Sequence, residues 1–359
     1  MATTYAIPDG RVAMAATTYT GTGANASIVN TVNGVSFQPD FVWIKDRSVG
    51  YNHVLQDSVR GATAAAKLSS NLTDAEGSAN LAPYGNVSAF NSNGFSLVAG
   101  SIDSRQTNAS GDAYIGWQWK AGGTAVSNTD GSITSSVSAN TTAGFSVVTY
   151  TGNDTTGATV GHGLGVAPSM IIVKERSQVR DWSVYHISTG NTGGMRLNGT
   201  GANETTRTGW WNNTTPSSTV ITLGGSTGND WYQTNQTGNT YVAYCFAPVA
   251  GYSAFGSYVG NGSADGPFVY LGFRPRFLMI KCSSAVESWY LFDTTRNTYN
   301  VIGEALVGNQ SSAEFSFVML DILSNGFKAR TTNSLCNTSG ATYIYMAFAE
   351  NPFKYANAR

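Results

Sequence analysis

The sequence predicts an all-β protein built from three tandem β-sandwich, jelly-roll-like modules. Three observations carry this. The 359 residues suit two or three domains. Charged residues are only 11% while glycine reaches 41 residues and aromatics 12%, a composition of short strands and tight turns. One pattern of anchor residues also recurs three times in the same order.

Each copy opens with Tyr-x-Gly: Tyr19–Gly21, Tyr150–Gly152 and Tyr258–Gly260. A proline then precedes a short apolar run ending in lysine: Pro39 to Lys45, Pro168 to Lys174 and Pro275 to Lys281. The runs FVWIK, MIIVK and FLMIK read as strands, with proline at the entry where no ladder donor is needed. A second strand holds Trp182 in one copy and Trp289 in another. Asn-x-x-Gly-x-x-Tyr closes each copy: Asn108/Gly111/Tyr114, Asn235/Gly238/Tyr241 and Asn337/Gly340/Tyr343. The glycine there supplies a positive φ before the last strand. Helical periodicity is absent apart from a possible turn within residues 58–68.

These anchors divide the chain into module one, residues 1–120; a Gly/Ser/Thr-rich linker, 121–143; module two, 144–249; and module three, 250–359. The first residues lack the charged and apolar regions of a signal peptide, and no apolar run is long enough to span a bilayer. Asn-x-Ser/Thr sequons such as Asn71 to Thr73 read as polar loops.

Net charge is −1, which argues against a nucleic-acid partner and favours association with other proteins. Cys245, Cys282 and Cys336 are odd in number and widely spaced, so they form neither a disulfide framework nor a zinc pattern. The histidines are His53, His162 and His186, and their spacing suggests no metal site. Neither a serine-nucleophile elbow nor a phosphate loop is present; GHGLG and GNGSADG read as turns. A glycosidase needs two carboxylates across a sugar bond, and the seven scattered glutamates identify no such pair. The expectation is a protein without enzymatic activity, cofactor or metal.

Asp57/Arg60 and Asp293/Arg296 share a spacing, with His186 at the aspartate position of module two. A turn held by an ion pair is the favoured reading. Trp182 and Trp289 are expected in cores. Trp210, Trp211, Trp231 and Tyr232 lie in polar segments without counterparts elsewhere. They are the candidate binding residues, for a glycan or a neighbouring subunit, against the alternative that they plug the end of a sandwich.

The phrases FQPDFVWIKDR (37–47), DSVRGAT (57–63), VGHGLGVAPSMIIVKER (160–176), GSYVGNGSADGPFVYLGFRPRFLMIK (256–281), LSNGFK (323–328) and YIYMAFAENPFKYANAR (343–359) resemble a family of marine bacteriophage proteins with a repeated module. The resemblance spans nearly the whole chain. It implies a virion protein, of the tail fibre or baseplate, contributing to host-surface recognition; a capsid decoration protein and a polysaccharide-degrading tail enzyme are the alternatives. The implied partners are other virion proteins, further copies of the chain, a trimer among the possible assemblies, and a host-surface glycan, with no membrane insertion.

Overall fold

The computed structural model describes residue 7 and residues 9–228 and 230–350. The leader reading on residues 1–6 and the end of the last matching phrase, 351–359, lie outside the described residues.

The chain is all-β, with short helical turns only. In each module the opening strand (Met14–Thr20, Phe145–Thr151, Ser253–Val259) pairs antiparallel with the closing strand (Ala113–Trp119, Thr240–Phe246, Thr342–Ala349). The closing strand also pairs with the lysine strand (Phe41–Asp46, Met170–Glu175, Pro275–Cys282). A fourth strand (Val54–Asp57, Trp182–His186, Trp289–Asp293) lies on the far side of the lysine strand. This four-strand unit is the repeat.

The outer layers differ between modules. In module one the four-stranded sheet faces a three-stranded sheet of Ala26–Val29, Gly94–Val98 and Asn86–Asn91. Module two extends the unit to seven strands and covers it with the two-stranded ribbon Thr159–Gly161/Val220–Thr222 and two short helices, Thr208–Trp211 and Tyr232–Asn235. Module three is one continuous eight-stranded sheet, with Phe327 brought against Tyr258 and Tyr345 at 5.7 Å. Two facing sheets of comparable size therefore describe module one, and the other modules vary on the repeated unit. Residues 121–143 are a correction to the linker reading. They contain Val126–Asn128 and Ser135–Asn140, which extend the module-two sheet by pairing alongside Phe145–Thr151.

The repeated motifs are accounted for by the framework. Tyr19/Tyr114, Tyr150/Tyr241 and Tyr258/Tyr343 stack at 5.2, 5.1 and 5.2 Å. Each closing tyrosine hydroxyl donates to a carbonyl nine residues back, that of Arg105, Tyr232 or Ser334. The motif asparagines accept from the backbone N–H of Thr22, Asn153 and Asn261. A Cβ on Gly21, Gly152 or Gly260 would lie 1.9, 2.4 or 2.2 Å from a carbonyl oxygen, so these positions require glycine.

Strand alternation divides the apolar side chains between two cores. In module one Val42, Ile44 and Tyr114 face the module's own outer layer. Phe41, Trp43, Ile115, Trp117 and Trp119 face the opposite way, into a core shared with the other modules. Module two divides likewise: Ile171, Val173 and Tyr241 face outward, while Met170, Ile172, Tyr244 and Phe246 join the shared core. Trp119, Phe246 and Phe348 occupy matching positions on the three closing strands. Their rings meet pairwise at 6.3, 5.8 and 6.0 Å. Aromatic pairs of this kind contribute about 0.5–1.5 kcal/mol each beyond area burial.

The modules close into a ring. Trp182 of module two donates to the Ser69 carbonyl of module one, and Trp289 of module three to the Arg196 carbonyl of module two, both at 2.9 Å. The pairing of Val54 with Ile44 sets His53 opposite Lys45, in the place of these tryptophans. Its Nε2 donates to the Val307 carbonyl of module three at 3.0 Å. A parallel set of backbone bonds runs from Glu76, Asn203 and Glu314 N–H to the Arg176, Ser283 and Arg47 carbonyls.

Candidate functional site

The four residues expected at a binding surface separate into two pairs. Trp210 and Trp211 sit on the helix Thr208–Trp211 with 0% and 1% exposure. Trp211 meets Tyr185 edge-to-face at 5.9 Å, and Trp210 lies over Gly194, where a Cβ would come within 2.6 Å of the ring. They plug the outer layer of module two, which corrects the expectation that they present a binding face. Helix formation turns both rings inward although the flanking sequence is polar.

Trp231 and Tyr232 remain partly exposed, with rings 6.3 Å apart. The Tyr232 hydroxyl donates to Asp230 at 2.8 Å, and the Arg180 guanidinium lies 4.6 Å from the Tyr232 ring centroid. Asp230 also pairs with Arg207, which pairs with Glu204, fixing the loop ends by charge.

The other sequence-derived candidates are structural. Asp57 and Arg60 pair at 2.5 Å, and Asp293 and Arg296 at 2.6 Å, with all four side chains buried. Asp57 accepts from Tyr244 of module two, and Asp293 from Trp117 of module one. His186, in the matching position, donates from Nε2 to the Tyr345 carbonyl of module three. His162 bridges the Ser217 carbonyl and the Leu164 N–H within a loop. Among the described residues no three His, Cys, Asp or Glu side chains gather as metal ligands. No helix among them is long and apolar enough to cross a membrane.

Arg180 stands six residues after the buried Lys174, and Tyr232 three before Asn235. The matching positions in module one are Tyr51 and Arg105, in contact at 5.5 Å with the cation and the ring exchanged. In module three they are Glu287 and Ser334, whose hydroxyl donates across 3.4 Å. The same corner of the repeated framework thus holds an arginine–tyrosine contact in two opposite arrangements and a serine–glutamate hydrogen bond. Residue type gave no hint of this because the roles are swapped; superposing the lysine and asparagine anchors would have exposed it.

In module one the corner opens into hollows. Tyr51 and Arg105 line both a cavity of about 210 Å³, with Gly50, Asn52, Asn80, Tyr84 and Gln106, and one of about 430 Å³ toward Ile102 and Asp103. The guanidinium of Arg105 stacks 4.6 Å from the Tyr84 centroid. Its Nε donates to both Asp103 oxygens at 2.9 and 2.7 Å, which holds that carboxyl below its ordinary range. Behind this wall the fully buried Lys67 donates to the Leu81 and Gly85 carbonyls and to Gln106 Oε1 at 2.5, 2.6 and 2.9 Å. Burial pushes its pKa down to about 7.

The chain belongs to the family described as "Domain of unknown function (DUF7483)", with the match spanning residues 12–352. No curated protein and no solved structure matches.

Proposed function

We propose that the chain is a structural protein of a bacteriophage virion that works through its surfaces, without covalent chemistry, as a tail-fibre or baseplate-associated component in host-surface recognition. The observation that carries this reading is the ring itself. Three modules close around one apolar core, and their repeated residues are committed to holding it. The part that varies is a set of three equivalent, partly exposed corners, which suits a framework presenting loops to a partner. The phage-family resemblance supplies the setting. Near-neutral net charge favours association with other virion proteins and with further copies of the chain.

A threefold-like arrangement in a single polypeptide also suits a local threefold position of a capsid lattice, which keeps a decoration protein as the second reading. Electron cryo-microscopy of the intact virion tests both. Density for the ring at the tail tip or baseplate is expected. Density on the head lattice overturns the tail placement in favour of decoration, and absence from the particle overturns both. Release of reducing sugar from host polysaccharide by the purified chain overturns the non-enzymatic reading.

A further inference from the structure

We propose that the module-one hollow between Tyr51, Tyr84 and Arg105 is a saccharide-binding subsite for a neutral sugar ring, a hexose or N-acetylhexosamine of a cell-surface polysaccharide. The proposal rests on the surface-recognition reading for the source of the sugar, whereas the site chemistry stands on its own geometry.

The hollow joins apolar faces to polar groups that the fold leaves free. Pyranose C–H faces stack on aromatic rings, and ring hydroxyls need donors and acceptors spaced around them. Tyr51 and Tyr84 supply the rings, with their centroids 5.5 and 4.6 Å from the Arg105 guanidinium carbon. Their hydroxyls have no protein partner among the described residues, and neither do Asn52 Nδ2, Asn80 Oδ1 and Arg105 Nη1. The other ends of both amides are anchored: Asn52 Oδ1 accepts from Asn71, and Asn80 Nδ2 donates to Asp74, each at 2.8 Å. The free ends are therefore already oriented, which reduces the ordering cost of binding.

The walls are also fixed. Lys67 ties the 81–85 segment to Gln106, and Gln106 Nε2 donates to the Asn80 carbonyl at 2.8 Å. Charge narrows the ligand. Asp103 neutralises Arg105 through two of its nitrogens, so the site offers one free N–H edge instead of an unpaired cation. A carboxylated or phosphorylated sugar gains little there. The equivalent corners hold Arg180/Tyr232 and Glu287/Ser334, and the proposal is confined to the module-one hollow.

The test is an array of neutral and acidic bacterial polysaccharides and oligosaccharides probed with the full chain. Saturation-transfer NMR and titration calorimetry with the best-bound neutral oligosaccharide follow, at millimolar sugar. Tyr84→Ala and Arg105→Gln are expected to weaken binding at least tenfold, with far-UV circular dichroism and thermal midpoint reporting that each variant is folded. Tyr51→Phe, which keeps the ring and removes the hydroxyl, gives a milder loss and covers the case in which Tyr84→Ala does not fold. Tyr270→Ala, an exposed ring in module three, binds as wild type. No binding of any neutral sugar, binding confined to acidic glycans, or binding undiminished in folded Arg105→Gln and Tyr51→Phe overturns the subsite. Those outcomes leave the virion placement to the particle map, so the two readings fail separately.

Discussion

His53 Nε2 lies 3.0 Å from the carbonyl oxygen of Val307, a residue 254 positions along the chain, and this contact joins the first module to the third. The ring is oriented by Trp43 Nε1, which donates to His53 Nδ1 at 2.8 Å and leaves Nε2 as the protonated nitrogen. His186 has the same tautomer, accepting from the Ser188 N–H and donating to Tyr345 of the next module. Two of the seams thus depend on neutral imidazoles.

Acid should weaken these seams. Burial lowers His53 to about 3 and His186 to about 4 from the ordinary value of 6.5. The unfolded chain therefore binds more protons through this interval. The histidine contribution to stability is full above about pH 6.5 and falls as pH drops from there towards 4 for His186 and 3 for His53, by up to about 1.4 kcal/mol per pH unit for each ring. Urea denaturation at stepped pH checks this. The double variant His53→Gln, His186→Gln should flatten the slope between pH 6.5 and 5; an unchanged slope assigns the effect to other groups.

Asp293→Asn should be strongly destabilising. The carboxylate holds buried Arg296 at 2.6 Å and accepts from Trp117 Nε1 of another module at 3.0 Å. Breaking one partner of a buried pair costs about 3–5 kcal/mol, read as a shift in the urea midpoint. Asp265→Asn, which disrupts the surface pair with Lys328, should leave the midpoint in place.

The two kinds of glycine that recur in the repeat should respond differently to alanine. Gly111 has φ of +87° and open space around its Cβ direction, so Gly111→Ala costs about 1–2 kcal/mol of backbone strain. At Gly21 a Cβ would sit 1.9 Å from the Ala109 carbonyl oxygen, so the strand ends must separate. Gly21→Ala should give the larger loss in thermal midpoint, and the reverse order contradicts the close backbone approach described at Gly21.

Trp210→Ala should cost about 3–5 kcal/mol, as expected for a fully buried aromatic. Trp231→Ala removes a partly exposed ring and should shift the denaturation midpoint much less. Equal effects would place both rings in one packed layer.

The repeat was legible because its anchors perform the same physical task three times: the stacked tyrosines, the asparagine clamps and the lysine strands all recur in register. The shared core was hidden, because a strand apolar on both faces does not reveal whether its second face meets its own module or another. Residues 121–143 read as a linker because Val126–Asn128 is a short, mostly exposed strand at the edge of the sheet and Ser135–Asn140 is built largely of small polar residues. Trp210 and Trp231 have similarly polar neighbours, and only the backbone path distinguishes the plug from the exposed ring. The corner at Tyr51 and Arg105 escaped notice because its residue types change from module to module.

The closed ring also sets the order of events on the ribosome. Phe277 packs on Trp117 and Trp119 at 5.8 and 5.3 Å, and Phe348 packs on Trp119 and Phe246. Until the last module emerges, those indoles lack the part of their cover that module three supplies. At the usual ~5–20 residues per second, roughly the last hundred residues take on the order of 5–20 s to synthesise. For that interval a nascent chain carries an open aromatic face, and its yield depends on chaperone capacity and growth temperature more than its final stability suggests.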